Sequence, residues 1–333
     1  MTVYFDRENI DSFLSSQQGE NYKDVERMLM RQLDVRFNFS KESIPIGPAT
    51  DKLWKFISQL SYGRSATLTG TPFSDSVYPD RPIAQNTHTR FAHSNRPVLL
   101  MNDEKAKAYR TAGACLVAGV GDEVEVLQRL QKPGGDYEFE SKLYIGEPEF
   151  RNWDQLRPYC LPCYDIIISD RYLLLQDDDT IRANYPKLLE NLLYDKRIKV
   201  NVVLIVLRRS GRQEVAWTFE QLKKLTKDKI EALTGKSPNF TLVWANDPKT
   251  VRHDRHIITN YQWIQSGDTF NYFSATGNLL TEGDTLTINS LARADHRRGA
   301  NIMLDRFQTR INNVSSLNPD FVQGDRVSSF LTF

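Results

Sequence analysis

The chain has 333 residues, of which 40% are hydrophobic and 26% charged, with 43 basic residues against 42 acidic ones and a net charge of +1. That length allows two domains, each able to bury its own core, and the near-zero charge excludes a global field drawing the chain to nucleic acid or an acidic membrane, so any anion site must be local. Three cysteines, Cys115, Cys160 and Cys163, are too few for a disulfide framework.

The N-terminal stretch Met-Thr-Val-Tyr-Phe-Asp-Arg lacks the basic region and apolar run of a signal peptide. No apolar stretch approaches the ~20 residues needed to span a bilayer, so the expectation is a cytoplasmic protein with no membrane span. Residues 1–60 read as mainly helical after a short strand-like Val3-Tyr4-Phe5. Between Tyr22 and Phe37, the residues Tyr22, Val25, Met28, Leu29 and Leu33 recur at three- and four-residue intervals and predict an amphipathic helix. Asp51 to Leu60 predicts a second, with Leu53, Trp54, Phe56, Ile57 and Leu60 on its apolar side. Residues 61–95 turn to Gly, Ser, Thr, Pro and Asn and predict a long irregular connection.

Pro97 to Met101 predicts a strand, Glu104 to Ala112 a helix, and Asp122 to Leu130 another helix after the apolar run Ala114 to Val120. Gly113, Gly119 and Gly121 make no phosphate loop, because no Gly-Lys-Ser/Thr follows them. Pro133-Gly134-Gly135 marks a turn, and Tyr137 to Pro148 with Trp153-Asp154 reads as a linker. Residues 1–150 are thus expected to form a smaller mixed α+β domain of unassigned role, followed by a second domain over 151–333.

The second domain opens with Cys160-Leu-Pro-Cys163, whose spacing suits zinc or redox chemistry. No second Cys or His pair stands nearby to complete four ligands, so two buried structural cysteines are expected. Tyr164 to Asp170 predicts a short buried strand, and Thr180 to Tyr194 a helix with Ile181, Leu188, Leu189, Leu192 and Leu193 inward. Val200 to Leu207 is a continuous β-branched run typical of a central strand. Thr218 to Leu233 predicts a lysine-rich helix stopped by Gly235. Phe240 to Ala245 and His256 to Thr259 predict two more strands. This alternation predicts an α/β fold with a mostly parallel sheet, helices on both faces and ligands at the strand ends. Beyond it lie a hairpin-like turn over Thr281 to Thr285 and a helix over Arg297 to Val314. Arg293, His296, Arg297 and Arg298 form a solvated helix start or a flank of an anion site.

Within this domain stands His253-x-Arg255-x-x-x-x-Asn260, followed by Ser266-Gly267 and Asn271. On an extended strand, side chains two residues apart face the same side, so His253 and Arg255 can reach one anion. The pattern resembles the phospholipase D superfamily signature, and most nearly its His-Asp-Arg variant, found in bacterial phospholipase-D-like domains and in the domain that follows some MIT modules. The resemblance covers about residues 160–275 and implies a phospholipase-D-like α/β sandwich. His253 takes the place of the nucleophilic histidine, Arg255 that of the phosphate-binding lysine, and Asn260 that of the aspartate. Ser266, Gly267 and Asn271 lie where the family's phosphate-binding turn would be, and Ser169-Asp170-Arg171-Tyr172 stands for its Asp-Pro-Tyr-like strand end. Arginine preserves charge and offers a planar fork to phosphate, whereas Asn260 carries no charge with which to raise a histidine's basicity. Phosphate recognition is therefore better supported than cleavage. An earlier stretch, His88-x-Arg90-x-x-x-x-Asn95, repeats the pattern.

The resemblance implies a metal-independent phosphodiesterase or nuclease, without cofactor, acting through a phosphohistidine. One half-domain supplies one histidine, so catalysis requires a homodimer or the His88 copy. The expectation is a protein that recognises a phosphodiester on nucleic acid, in a bacterial defence or nucleic-acid-processing system. The alternative is a non-catalytic subunit with a degenerate fold that docks a protein partner, with His253 and Arg255 paired structurally to Asp254 or Asp170. Binding to anionic lipid headgroups lacks the basic amphipathic anchor it would need.

Overall fold

The computed structural model describes residues 2–17, 19, 21–31, 33–37, 44–61, 98–100, 103–104, 106–107, 116–128, 140–193, 199–210, 213–245, 255–281, 283–291 and 293–333. The chain divides into two units, Met1–Glu138 and Phe139–Phe333. In the first, the apolar periods of the sequence become buried faces. Strands β1 (Thr2–Phe5), β2 (Asp34–Phe37), β3 (Val98–Leu100) and β4 (Val117–Ala118) lie in the order β2-β1-β3-β4, all parallel. Helices α1 (Arg7–Ser15), α2 (Tyr22–Arg31), α3 (Asp51–Ser61) and α4 (Glu123–Gln128) accompany them. The mixed α+β expectation for residues 1–150 thus becomes α/β over this unit.

Phe5 packs edge-on to Phe13 at 6.0 Å, and Phe13 stacks on Tyr22 at 4.7 Å, joining β1, α1 and α2. The predicted helix over Tyr22 to Phe37 stops at Arg31, because Leu33, Val35 and Phe37 bury with period two, the last two within β2. At the start of α4, buried Glu123 accepts hydrogen bonds from Asn9 Nδ2 (2.9 Å), Ser12 Oγ (3.2 Å) and Gly121 N (3.0 Å), tying α1 to the loop after β4.

The second unit is built on an eight-stranded sheet. Its strands are β5 (Glu140–Tyr144), β6 (Asp165–Ser169), β7 (Asn201–Leu207), β10 (Asn239–Ala245), β11 (Arg255–Thr259), β12 (Gln262–Ser266), β13 (Thr285–Ser290) and β14 (Val322–Gly324). The two-residue strands β8 (Arg209–Ser210) and β9 (Gln213–Glu214) pair separately. The order is β14-β10-β7-β6-β11-β12-β13-β5. Only β6–β7 and β7–β10 are parallel, while the other neighbours run antiparallel. The expected mostly parallel sheet is therefore corrected to a mixed and mostly antiparallel one. The physical reason is connection length: helices bridge β6 to β7 and β7 to β10, whereas only Asn260 and Tyr261 join β11 to β12, which can return the chain solely as a hairpin. Residues 140–144, read from sequence as linker, are the edge strand β5.

Helices α5 (Asp178–Leu192) and α6 (Phe219–Thr234) pack on one face, with Ile181, Tyr185, Leu188, Leu189, Leu222 and Ile230 in one core with Val202, Leu204 and Val206 of β7. Asp177 caps α5, Thr218 and Gln221 form a capping box on α6, and Gly235 ends α6 at φ 68°. The long helix α7 (Ala294–Leu317) contributes Phe307, whose ring lies 6.3 Å from that of His256 on the other sheet face. No helix among the described residues is long and apolar enough to cross a membrane.

Candidate functional site

The parallel strands β6, β7 and β10 end their carboxyl termini on one side of the sheet, the place where open α/β sheets hold ligands. Antiparallel β11 begins on that side, with His256 opposite Ser169, which sets Arg255 beside Asp170. Strand β12 ends there as well, since Arg255 pairs with Ser266. The motif arginine, the residues after β6 and the turn after Ser266 therefore meet at one edge.

Asp170 is fully buried. Its Oδ1 accepts Tyr172 N at 2.9 Å, and its Oδ2 accepts Thr269 Oγ and Phe270 N, both at 2.7 Å. Burial pushes its carboxyl above the usual carboxylate range, opposed by those hydrogen bonds and by the Arg255 guanidinium. Arg255 is 5% exposed. It donates from Nη1 to Gly267 O at 2.6 Å, holds Nη2 at 3.7 Å from Asp268 Oδ1, and lies 5.5 Å from the centre of the Tyr172 ring.

The predicted turn residues build the frame of this edge. Ser266 Oγ donates to Asp268 O (2.6 Å) and accepts from Asp268 N (3.1 Å) and Tyr272 Oη (2.5 Å). A Cβ on Gly267 would come within 2.6 Å of Asp284 Oδ1, so the turn admits only glycine without a shift. Asn271 donates from Nδ2 to Leu173 O at 2.9 Å. Thr269 and Tyr272, absent from the sequence motif, are as deeply engaged as the residues within it.

Asn260 does not join them. Five residues along β11 from Arg255, about 16 Å at strand rise, its Oδ1 accepts Tyr164 N at 2.8 Å and Asp165 N at 2.9 Å and anchors the start of β6. Arg293, His296 and Arg297 also lie at that opposite edge. His296 Nδ1 contacts Ser290 O at 3.0 Å, and Ser290 pairs with Gln262 at the far end of β12. The suggestion that this cluster flanks the anion site is thereby corrected. His253 falls outside the described residues, as do His88, Arg90 and Asn95. Cys160 and Cys163 are both buried, and their thiols point at Leu156 O (3.5 Å) and Leu192 O (3.7 Å). Among the described residues no group of His, Cys, Asp or Glu is placed to hold a metal ion.

No protein-family model matches the chain, and no curated protein matches it. The site's chemistry rests on its own residues: a buried carboxylate and guanidinium, a bonded turn, and Arg171 and Tyr172 emerging from β6. The sequence signal for that last pair was their position directly after a buried β-rich run that ends in Asp170.

Proposed function

We propose that the second unit is a phospholipase-D-like module that recognises a phosphodiester, on nucleic acid, at the carboxyl ends of β6, β7 and β10. The observation that carries this reading is the position of Arg255 at that edge beside Asp170 and the Ser266–Phe270 turn. Arg171 and Arg255, both at this edge, sit on one aromatic ring, Tyr172. Such a local cationic and aromatic group suits a phosphate without needing a basic protein overall. A place in a bacterial defence or nucleic-acid-processing system follows from the family resemblance. Binding rather than cleavage is favoured because Asn260, in the place of the family's aspartate, is uncharged and anchors a strand.

Titration of fluorescein-labelled single-stranded DNA, double-stranded DNA and RNA, each at several salt concentrations, tests this. Arg255→Ala is expected to weaken binding by about 1.5 to 3 kcal/mol, and Arg255→Lys to restore part of it. Wild-type protein that binds none of these three ligands refutes the reading. Cleavage that persists in chelator and vanishes in His253→Ala protein would instead make the module a phosphodiesterase.

A further inference from the structure

We infer that Arg171, rather than the motif arginine Arg255, makes the direct contact with the ligand's phosphate oxygens; this rests on the phosphodiester reading above. The two guanidinium groups differ in what surrounds them. Arg255 is 5% exposed, delivers a short hydrogen bond to Gly267 O and stands next to Asp268. The buried Asp170 carboxylate also faces it. Drawing Arg255 outward would break the bond that holds the turn and leave the buried Asp170 carboxylate without its counter-charge. Its geometry is that of an internal brace.

Arg171 follows Asp170 directly, yet it is only partly buried, and its Cζ lies 4.9 Å from the centre of the Tyr172 ring. No carboxylate among the described residues pairs with it, and its Nε, shielded from solvent, has no hydrogen-bond partner. A guanidinium over an aromatic ring is held by the ring's quadrupole while its terminal Nη–H groups, unlike the shielded Nε, are the ones left to meet a phosphate. The backbone beneath is fixed as well, since Tyr172 N donates to Asp170 Oδ1 and Leu175 N to Tyr172 O. Asp170 thus has two effects: it positions Arg255 inward and presents Arg171 outward. Tyr172, touched by both guanidiniums, connects the brace to the contact.

The test is anisotropy of a fluorescein-labelled single-stranded DNA oligonucleotide with wild-type protein and with Arg171→Ala, Arg171→Lys, Arg171→Gln, Tyr172→Phe and Tyr172→Leu, each with its melting temperature. Arg171→Ala and Arg171→Gln are expected to weaken binding about tenfold or more without a change in melting, and to lower the salt slope by about one counterion. Arg171→Lys should recover part of the affinity. Tyr172→Phe should bind as wild type and Tyr172→Leu several-fold more weakly. Affinity within about twofold of wild type in both Arg171→Ala and Arg171→Gln overturns this inference, and the phosphodiester reading is spared as long as the wild-type protein binds. Failure of the wild-type protein to bind any of the nucleic acids overturns both.

Discussion

Asp165 begins β6 and is fully buried. Its Oδ2 accepts Asn201 Nδ2 and its Oδ1 accepts Ser329 N, both at 3.2 Å, so no cation offsets its burial among these partners. Burial pushes its carboxyl up from 3.8 to about 6. The folded protein therefore holds this proton more tightly than the unfolded chain does. The resulting stability is fully present below pH 3.8 and is lost as pH rises through about 6. A shift of that size corresponds to about 3 kcal/mol. Asp165→Asn cannot ionise, and its amide nitrogen cannot accept, so it gives up one of the two hydrogen bonds at a pH-independent cost of about 1 kcal/mol. Denaturant unfolding of wild type and variant, stepped between about pH 4 and 7, isolates this group because all other titrations are common to both. Tryptophan fluorescence serves as the probe, since Trp153, Trp217, Trp244 and Trp263 all lie in the second unit. Relative to the variant, the wild type should lose about 2 to 2.5 kcal/mol across that range, because the window opens just above the unfolded pKa. A stability difference that stays flat with pH would refute the reasoning.

The remaining predictions concern the frame around the site. Asn260→Ala removes the acceptor of Tyr164 N and Asp165 N and should destabilise the protein by about 2 to 4 kcal/mol; unchanged unfolding would deny its anchoring role. Asn184 bonds Trp153 Nε1 and both Phe273 N and Phe273 O, so Asn184→Ala should cost about 3 kcal/mol or more and redshift the Trp153 emission, and a neutral substitution would count against that clamp. A Cβ on Gly299 would stand 2.5 Å from Trp263 Cζ3. Gly299→Ala should therefore destabilise by about 1 to 3 kcal/mol despite its gain in helix propensity, whereas a stabilised variant would show that Trp263 has room to move. Burial pushes the Cys160 thiol up to about 12, so Cys160 and Cys163 should resist iodoacetamide in the native protein and react after denaturation. Site-resolved mass spectrometry checks this, and rapid native alkylation would contradict their burial.

Local pattern carried much of the second unit. The apolar run Val200 to Leu207 is β7, and Thr218, Gln221 and Gly235 mark the ends of α6 as their capping chemistry requires. Each depends on neighbours within a few residues, which a sequence displays directly. The strands β5 and β12 were harder to read, because Glu140–Tyr144 buries only Ser141 and Leu143, and Gln262–Ser266 carries two glutamines. Alternation there is short and weakly apolar, so neither stands out from loop. In the first unit, a helix period running on to Leu33 hid the switch to β2.

From its sequence alone, the protein's second unit was legible as α/β, with Arg255 at the start of a strand and Asp170 at the end of another. Their meeting was decided by tertiary structure. It depends on β6 and β11 pairing antiparallel, with His256 opposite Ser169, a register set by the burial of whole strand faces. The same pairing carries Asn260 to the far edge, although its motif spacing suggests a shared site. Likewise, Thr269 and Phe270 reach the Asp170 carboxylate across about a hundred residues of chain. Whether a guanidinium turns inward, as Arg255 does, or lies partly exposed over a ring, as Arg171 does, depends on which carboxylates and carbonyls the fold places beside it. Sequence spacing records the residue type and its strand position; only the packed sheet supplies those partners.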